Sequence, residues 1–187
     1  VLFKGADAIE ATAKLDAVIF DKTGTLTKGE PSVTDVVSTY LDEREVLQLA
    51  AIAEKNSEHP LGEAIVRGAK ERGLEVLDAD RFDSIPGHGV EAEWQGRKIF
   101  LGNRKLMAQL GLDATKVERK LQRLEEAGKT AMLLATKDRI IGIVAAADTL
   151  KETTLEAVQK LQKMGIAVYM ITGDNQRTAN AIAKQIG

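Results

Sequence analysis

The stretch FDKTGTLTKG, Phe20 to Gly29, decides how this chain is read. It begins at the end of AVIF (Ala17 to Phe20), a continuous apolar run of the kind expected for a strand buried on both faces. Asp21 therefore stands at the carboxyl end of a buried parallel strand, where open α/β sheets bind ligands. The turn after it offers the backbone N–H groups of Gly24 and Thr25, a suitable cradle for phosphate. An aspartate in that place can attack a phosphoryl group and form an aspartyl-phosphate. A metal ion would be needed to bridge the two anions. The plain alternative is that Asp21 caps a turn and the threonines merely follow a strand. The seven-residue string DKTGTLT favours the chemical reading.

Working outward, IAVYMI (Ile166 to Ile171) repeats the strand pattern near the other end. Before it, Leu155, Val158 and Leu161 share a helical face, with Gly165 as the expected C-cap. After it, TGDNQRTANAIAKQIG carries Ala179, Ile182, Ala183 and Ile186 as an apolar stripe. Strand, turn and helix at both ends predict one parallel α/β layer built from the two ends of the chain.

The middle differs. Asp42 and Glu45 stand at capping-box spacing before a helix with Val46, Leu49 and Ala53 on one face. Pro60 opens a second helix that turns Leu61, Ala64 and Ile65 inward. VEAEW and RKIFL flank a Gln95-Gly96 turn as a hairpin, and Lys137-Asp138 marks another. Between the hairpins, TKVERKLQRLEEAG reads as a capped helix ended by Gly128. Strands joined by tight turns predict an antiparallel sheet. The expected division is residues 1–34 and 146–187 as a discontinuous layer, interrupted by an α+β body over 35–145.

Composition sets limits. The 187 residues are 44% hydrophobic and 29% charged, ordinary for a globular protein, and the net charge of −2 offers no basic field for nucleic acid. The absence of cysteine removes disulfides, zinc–thiolate clusters and thiol chemistry. No apolar run nears the ~20 residues needed to span a bilayer. Val1 to Ala6 is too short for a leader and carries Lys4. The start at Val1 reads as a piece of a longer protein, itself soluble.

DKTGT resembles the phosphorylation motif of P-type ATPases, within the haloacid-dehalogenase-like fold. The resemblance implies that Asp21 is the phosphorylated nucleophile and that Lys22 helps with the phosphate charge. It also implies that Thr23 ligates Mg²⁺ through its carbonyl, beside Asp21, and that Thr25 contacts the phosphate. Phosphatases of this fold resemble D-x-D, whose second acid shuttles the proton for rapid hydrolysis. Thr23 cannot do so. A persistent phosphoenzyme is expected.

TGD (Thr172, Gly173, Asp174) resembles the family's T-G-D-N. Thr172 would hold a phosphoryl oxygen at a helix N-terminus, and Asp174 would meet the nucleotide or the hinge. Read plainly, it is a helix start with Asp174 or Asn175 as N-cap. DTLK is either a capped helix start or the family's hinge element, with Asp148 and Lys151 as its polar residues.

SEHPLG (Ser57 to Gly62) resembles the nucleotide-binding loop of the heavy-metal branch, PGHGV its G-x-G turn, and LGNRKLM its G-N element. By that resemblance Glu58 and His59 recognise the adenine region. Gly87 and Gly89 line the ring, and Gly102 and Asn103 support the ribose-phosphate side. His88 reads as a bystander and Trp94 as hairpin packing. The methionines at 107, 132, 164 and 170 read as core and not as copper ligands.

The family pattern implies ATP and Mg²⁺ as cofactors. It implies an actuator domain and transmembrane helices as partners, and a place on the cytoplasmic face of a membrane. Its wording is most like copper exporters, with zinc and cadmium pumps as alternatives. A soluble phosphatase and a non-enzymatic nucleotide-binding module remain rivals. A lysine and a G-D-G-x-N-D-x-P segment, which complete the family's phosphorylation site, are absent from these 187 residues, so nucleotide binding without full turnover is expected. A thin α/β layer would also expose apolar faces. It is expected to be poorly ordered, or completed by another chain or by self-association.

Overall fold

The computed structural model describes residues 5–7, 10 and 14–187; of the stretch Val1 to Ala6, weighed above as a leader, residues 1–4 lie outside them. Two sheets form. Strand β1 (Ala17–Asp21) pairs in parallel with β8 (Ala167–Ile171), in register from Ala17 opposite Ala167 to Asp21 opposite Ile171. Helices α5 (Thr154–Lys163) and α6 (Gln176–Ile186) cover one face of this pair. Val158 and Ile186 close over Phe20, Val168 and Met170, with Leu26 joining them.

The expected burial of both faces does not hold. Ile19, Tyr169 and Ile171 are 69%, 58% and 62% exposed. Alternate side chains of a strand point to opposite faces, and helices lie on one face only. The layer exposes apolar surface, as its thinness implies. Three further side chains also escape the expected stripes. Leu155 is 45% exposed, Met164 is 72% exposed at the end of α5, and Ala183 faces outward while Thr178 takes the buried place.

The middle of the chain forms a six-stranded antiparallel sheet in the order β2-β7-β6-β5-β4-β3. Its strands are β2 (Ser32–Ser38), β3 (Arg81–Ile85), β4 (Gly89–Trp94), β5 (Arg97–Gly102), β6 (Thr130–Thr136) and β7 (Ile140–Ala147). Alternation sorts the core. Ile99, Leu101 and Leu134 point to one face, against α1 (Glu43–Glu54) and α2 (Pro60–Glu71). Phe100, Leu133 and Ala135 point to the other, against α3 (Arg104–Gln109) and α4 (Thr115–Glu126). Each helix is amphipathic because it has one sheet face to cover.

Local signals account for the ends of these elements. Asp42 accepts from the Arg44 N–H, and the Glu45 carboxylate returns a bond to the Asp42 N–H, as a capping box requires. Gln95 and Gly96 both take positive φ, 51° and 72°, the geometry that suits a two-residue hairpin. Helix α4 is capped from one residue further back than its formal N-cap: Asp113 accepts from the Thr115 N–H at 2.8 Å.

The chain enters and leaves the antiparallel body side by side. Ser32 pairs with Ala147 in the sheet, and an isolated bridge joins Thr27 to Leu150 just outside it.

Candidate functional site

Asp21 ends β1, and the chain then folds into a tight turn over Lys22–Leu26, with Gly24 at φ 75°. Three residues from elsewhere pin this turn. Asp148 accepts from the Thr27 hydroxyl at 2.5 Å and from the N–H groups of Gly29 and Glu30 at 3.1 and 3.2 Å. Lys151 Nζ donates to the Gly24 carbonyl at 2.6 Å, and the Thr154 hydroxyl to the Leu26 carbonyl at 2.6 Å. Asp148 and Lys151 thus fasten the junction where the antiparallel body returns to the layer.

The Asp21 carboxylate is exposed, and none of the hydrogen bonds among the described residues uses it. Beside it, Lys22 Nζ lies 2.5 Å from Asp174 Oδ2. Asp174 also accepts from the hydroxyls of Thr130 at 2.7 Å and Thr172 at 3.1 Å. Burial opposes ionisation of Asp174, yet these bonds and the Lys22 charge hold its carboxyl below the usual range. Asn175, not Asp174, caps α6, accepting from Arg177 and Thr178.

Two cavities open along this surface. The smaller, of about 410 Å³, is walled by Asp21, Lys22, Thr23 and Thr27 and by Thr172, Gly173 and Asp174. The larger, of about 700 Å³, is walled by Glu54, Gly87, Gly89, Gly102 and Asn103. His59, Leu61, Thr130, Gly173 and Asp174 belong to both, so the cavities share a wall. Thr25 and Glu58 are exposed and line neither.

His59 is the N-cap of α2: its Nδ1 accepts from the Leu61 N–H at 3.2 Å. In the neutral ring the proton then sits on Nε2. Asn103 has structural partners at both ends of its amide. Its Oδ1 accepts from Lys105 and Leu106 to cap α3, and its Nδ2 donates to the Gly87 carbonyl at 2.8 Å. It thereby fastens the Pro86–His88 loop to the start of α3, at the edge of the larger cavity. His88 turns its ring back to the Pro86 carbonyl at 2.9 Å. Trp94 packs on the core beneath α1 and α2, as hairpin packing requires.

Gly87 and Gly89 differ in kind. A Cβ at Gly87 would meet nothing within 4 Å. At Gly89 it would lie 2.1 Å from the Leu101 carbonyl oxygen and 2.5 Å from the Gly102 Cα. Gly87 leaves the cavity open, whereas Gly89 lets two strands approach.

One cavity-wall acid had drawn no notice in the sequence. Glu54, at the end of α1, is buried, and its Oε2 has no hydrogen-bond partner among the described residues. Burial pushes its carboxyl up, with the Ser57 hydroxyl offsetting part of the effect. A buried acid with an unpartnered oxygen in a cavity wall is costly unless that oxygen meets a ligand.

A family model for haloacid dehalogenase-like hydrolases matches residues 15–187. The chain belongs to that family. Asp21 at the end of β1 and Thr172 just after β8 stand at the carboxyl ends of its two parallel strands, where open α/β sheets bind ligands. Among curated proteins, the "Probable copper-exporting P-type ATPase" of Archaeoglobus fulgidus is 51% identical over 187 residues. The "Copper-exporting P-type ATPase" of Staphylococcus epidermidis is 47% identical over 188. All of this chain is matched in both cases, yet it spans 23% of either relative. Among solved structures, a zinc-transporting PIB-type ATPase in its E2.Pi state matches all of the chain and 30% of its own, with TM-score 0.70 and 36% identity. The N-domain of a copper-transporting P-type ATPase matches 60% of this chain and 97% of its own, with TM-score 0.53 and 29% identity. Over its whole length, then, this hydrolase-family chain is similar to the catalytic region of heavy-metal P-type ATPases.

Proposed function

We propose that the chain is the ATP-binding and phosphate-accepting part of a heavy-metal export pump, with copper(I) as the ion carried by the whole protein. In this reading residues 35–145 form the nucleotide-binding domain, and residues 1–34 and 146–187 contribute to the phosphorylation domain. The observation that carries it is the shared wall of the two cavities. A nucleoside held by the larger one extends its phosphates past His59, Thr130 and Asp174 toward Asp21.

Glu54 accepts from an exocyclic amine of the base, and His59 donates through Nε2. Glu58 lies outside the lining, so Glu54 takes the part expected of it. Lys22 and the N-terminus of α6 meet the phosphates, and Asp21 attacks the terminal phosphorus as its bond to the leaving ADP oxygen breaks. Thr23 offers no carboxylate to deliver a proton to the product ester, so the phosphoenzyme persists.

A Mg²⁺ ion is implied by this chemistry. Among the described residues no group of three or more acidic, histidine or cysteine side chains gathers to hold a metal. Asp21 and Thr23 nevertheless both line one cavity, and between them they have a carboxylate and a backbone carbonyl to offer. That donor set suits an ion that takes its other oxygens from phosphate and water. When bound, it would offset the repulsion between the two anions.

The test is an ATP titration followed by amide NMR, with a parallel assay for a hydroxylamine-labile phosphoenzyme. Shifts clustered at Glu54, His59 and Gly87 support the binding assignment. Shifts elsewhere, with these positions silent, would sink it. Binding without phosphoenzyme would leave a nucleotide-binding module. Rapid turnover of a simple phosphate ester would favour the soluble phosphatase. The membrane-spanning part of the parent, and transport assays on it, decide between copper, zinc and cadmium.

A further inference from the structure

Glu125 is a second buried acid, and the phosphoryl-transfer chemistry above does not use it. Its side chain is 1% exposed, near the end of α4. Four donor contacts converge on it. Arg104 supplies two, Nη1 to Oε1 at 2.5 Å and Nη2 to Oε2 at 3.1 Å. Asn175 Nδ2 reaches Oε1 at 2.9 Å, and Arg177 Nη1 reaches Oε2 at 3.3 Å. Arg104 begins α3 of the antiparallel body, whereas Asn175 and Arg177 open α6 of the parallel layer. One carboxylate is thus clasped from both halves of the chain. Arg104 is also held by Glu118 at 2.9 and 3.0 Å, so the two guanidinium groups face two carboxylates and the cluster is neutral.

We infer that Glu125 is a positioning residue, which locks the antiparallel body onto the N-terminus of α6 and so sets the path from the nucleotide cavity to Asp21. Two hydroxyl contacts also cross this seam. The Thr178 hydroxyl donates to the Lys129 carbonyl at 3.0 Å, and the Thr130 hydroxyl donates to Asp174. Without Glu125, Arg104 and Arg177 face each other with less negative charge between them, and the seam opens. Glu125, Arg104 and Asn175 all line the larger cavity, so an open seam separates the base-binding wall from Thr172 to Asp174.

This rests on the nucleotide reading only for its consequence on phosphates; the lock itself is a property of the ligand-free chain. The absence of cysteine makes a distance measurement direct. Spin labels are placed at Lys137→Cys, on the outer hairpin, and Lys163→Cys, on α5, both exposed. The parent chain should give one narrow distance population. In Glu125→Gln and in Arg177→Ala, more than half of it should move to longer, broader distances.

Titration with adenosine and with ATP supplies the second readout. In Arg177→Ala, which lies outside the cavity lining, adenosine affinity should stay within twofold, because most of the wall lies in the antiparallel body. The ratio of ATP to adenosine affinity should fall at least tenfold. An unchanged distance population in both variants would overturn the inference. So would a loss of adenosine binding at unchanged distance, which would make Glu125 a ligand contact. If Glu125→Gln does not fold, Arg177→Ala decides alone. If the parent chain binds no adenosine, the nucleotide reading fails while the distances still judge the lock.

Discussion

Replacing Gly89 by alanine should damage the fold, whereas the same change at Gly87 should damage binding. Gly89 has φ 147°, a region that side chains rarely adopt, and it faces Gly102 across the β4–β5 pair. Forcing a non-glycine residue there costs about 1–3 kcal/mol. The added methyl would also sit 2.1 Å from the Leu101 carbonyl oxygen, which belongs to strand backbone and has little room to move. Overpacking of that kind adds about 1–3 kcal/mol. Together they give roughly 2–6 kcal/mol, a large part of the total stability of an ordinary domain. Gly87 has φ 73° and open space where a Cβ would go, so strain alone acts, about 1–2 kcal/mol. Gly87 lines the larger cavity, and under the proposed function its methyl crowds the base. Urea unfolding should show a large drop in midpoint at unchanged slope for Gly89→Ala and a small one for Gly87→Ala. ATP titration of the folded variants should show at least a tenfold loss for Gly87→Ala. Equal stabilities would refute the close-approach argument, and full ATP affinity in Gly87→Ala would refute the placement of the base.

Glu54→Gln should weaken ATP binding while leaving the chain at least as stable at pH 7. Burial raises the folded-state carboxyl above the ordinary 4.5, so Glu54 weighs against stability increasingly as pH rises through that raised value. The gain from Gln should fade below pH 4.5, which denaturation at several pH values would reveal. Asp174 has the opposite sign: its folded value lies below 3.8, so its contribution is complete above 3.8 and is lost as pH falls further. Asp174→Asn should therefore flatten the acid limb of the stability profile. Asp148→Ala removes one hydroxyl and two N–H contacts to a carboxylate, and should cost about 2–4 kcal/mol, read as a lower thermal midpoint of the parallel layer.

Some of this was legible because it is local. The Asp42/Glu45 box, the Gln95-Gly96 turn and the Pro60 helix start each depend on a few adjacent residues, and each formed. Burial of the two parallel strands was misjudged, because an apolar run does not say how many faces have a helix to meet. Glu54 and Glu125 were missed for a related reason. Glu54 lies four residues after Ala50 and seven after Leu47, and Glu125 lies four after Leu121 and eight after Val117, so both stand on apolar stripes. An acid on such a stripe signals a buried partner or a ligand, and that signal was available. Glu58 drew attention through its motif, but the motif's helix start turns it to solvent. Asn103 was found, yet its use as a cap and loop fastener depends on where Gly87 falls in space.

The side-by-side entry and exit of the antiparallel body bear on how the chain folds. Strands β1 and β8 are neighbours in space, but the sequence between them closes a loop of about 145 residues if nothing else is ordered. Once Ser32 has paired with Ala147, the effective loop shrinks to about 30 residues, a little over two doublings shorter, which relieves about 1.4 kcal/mol of closure entropy. The parallel pair should then form after the body it encloses, its two strands delivered to each other by a body that takes no part in their ladder.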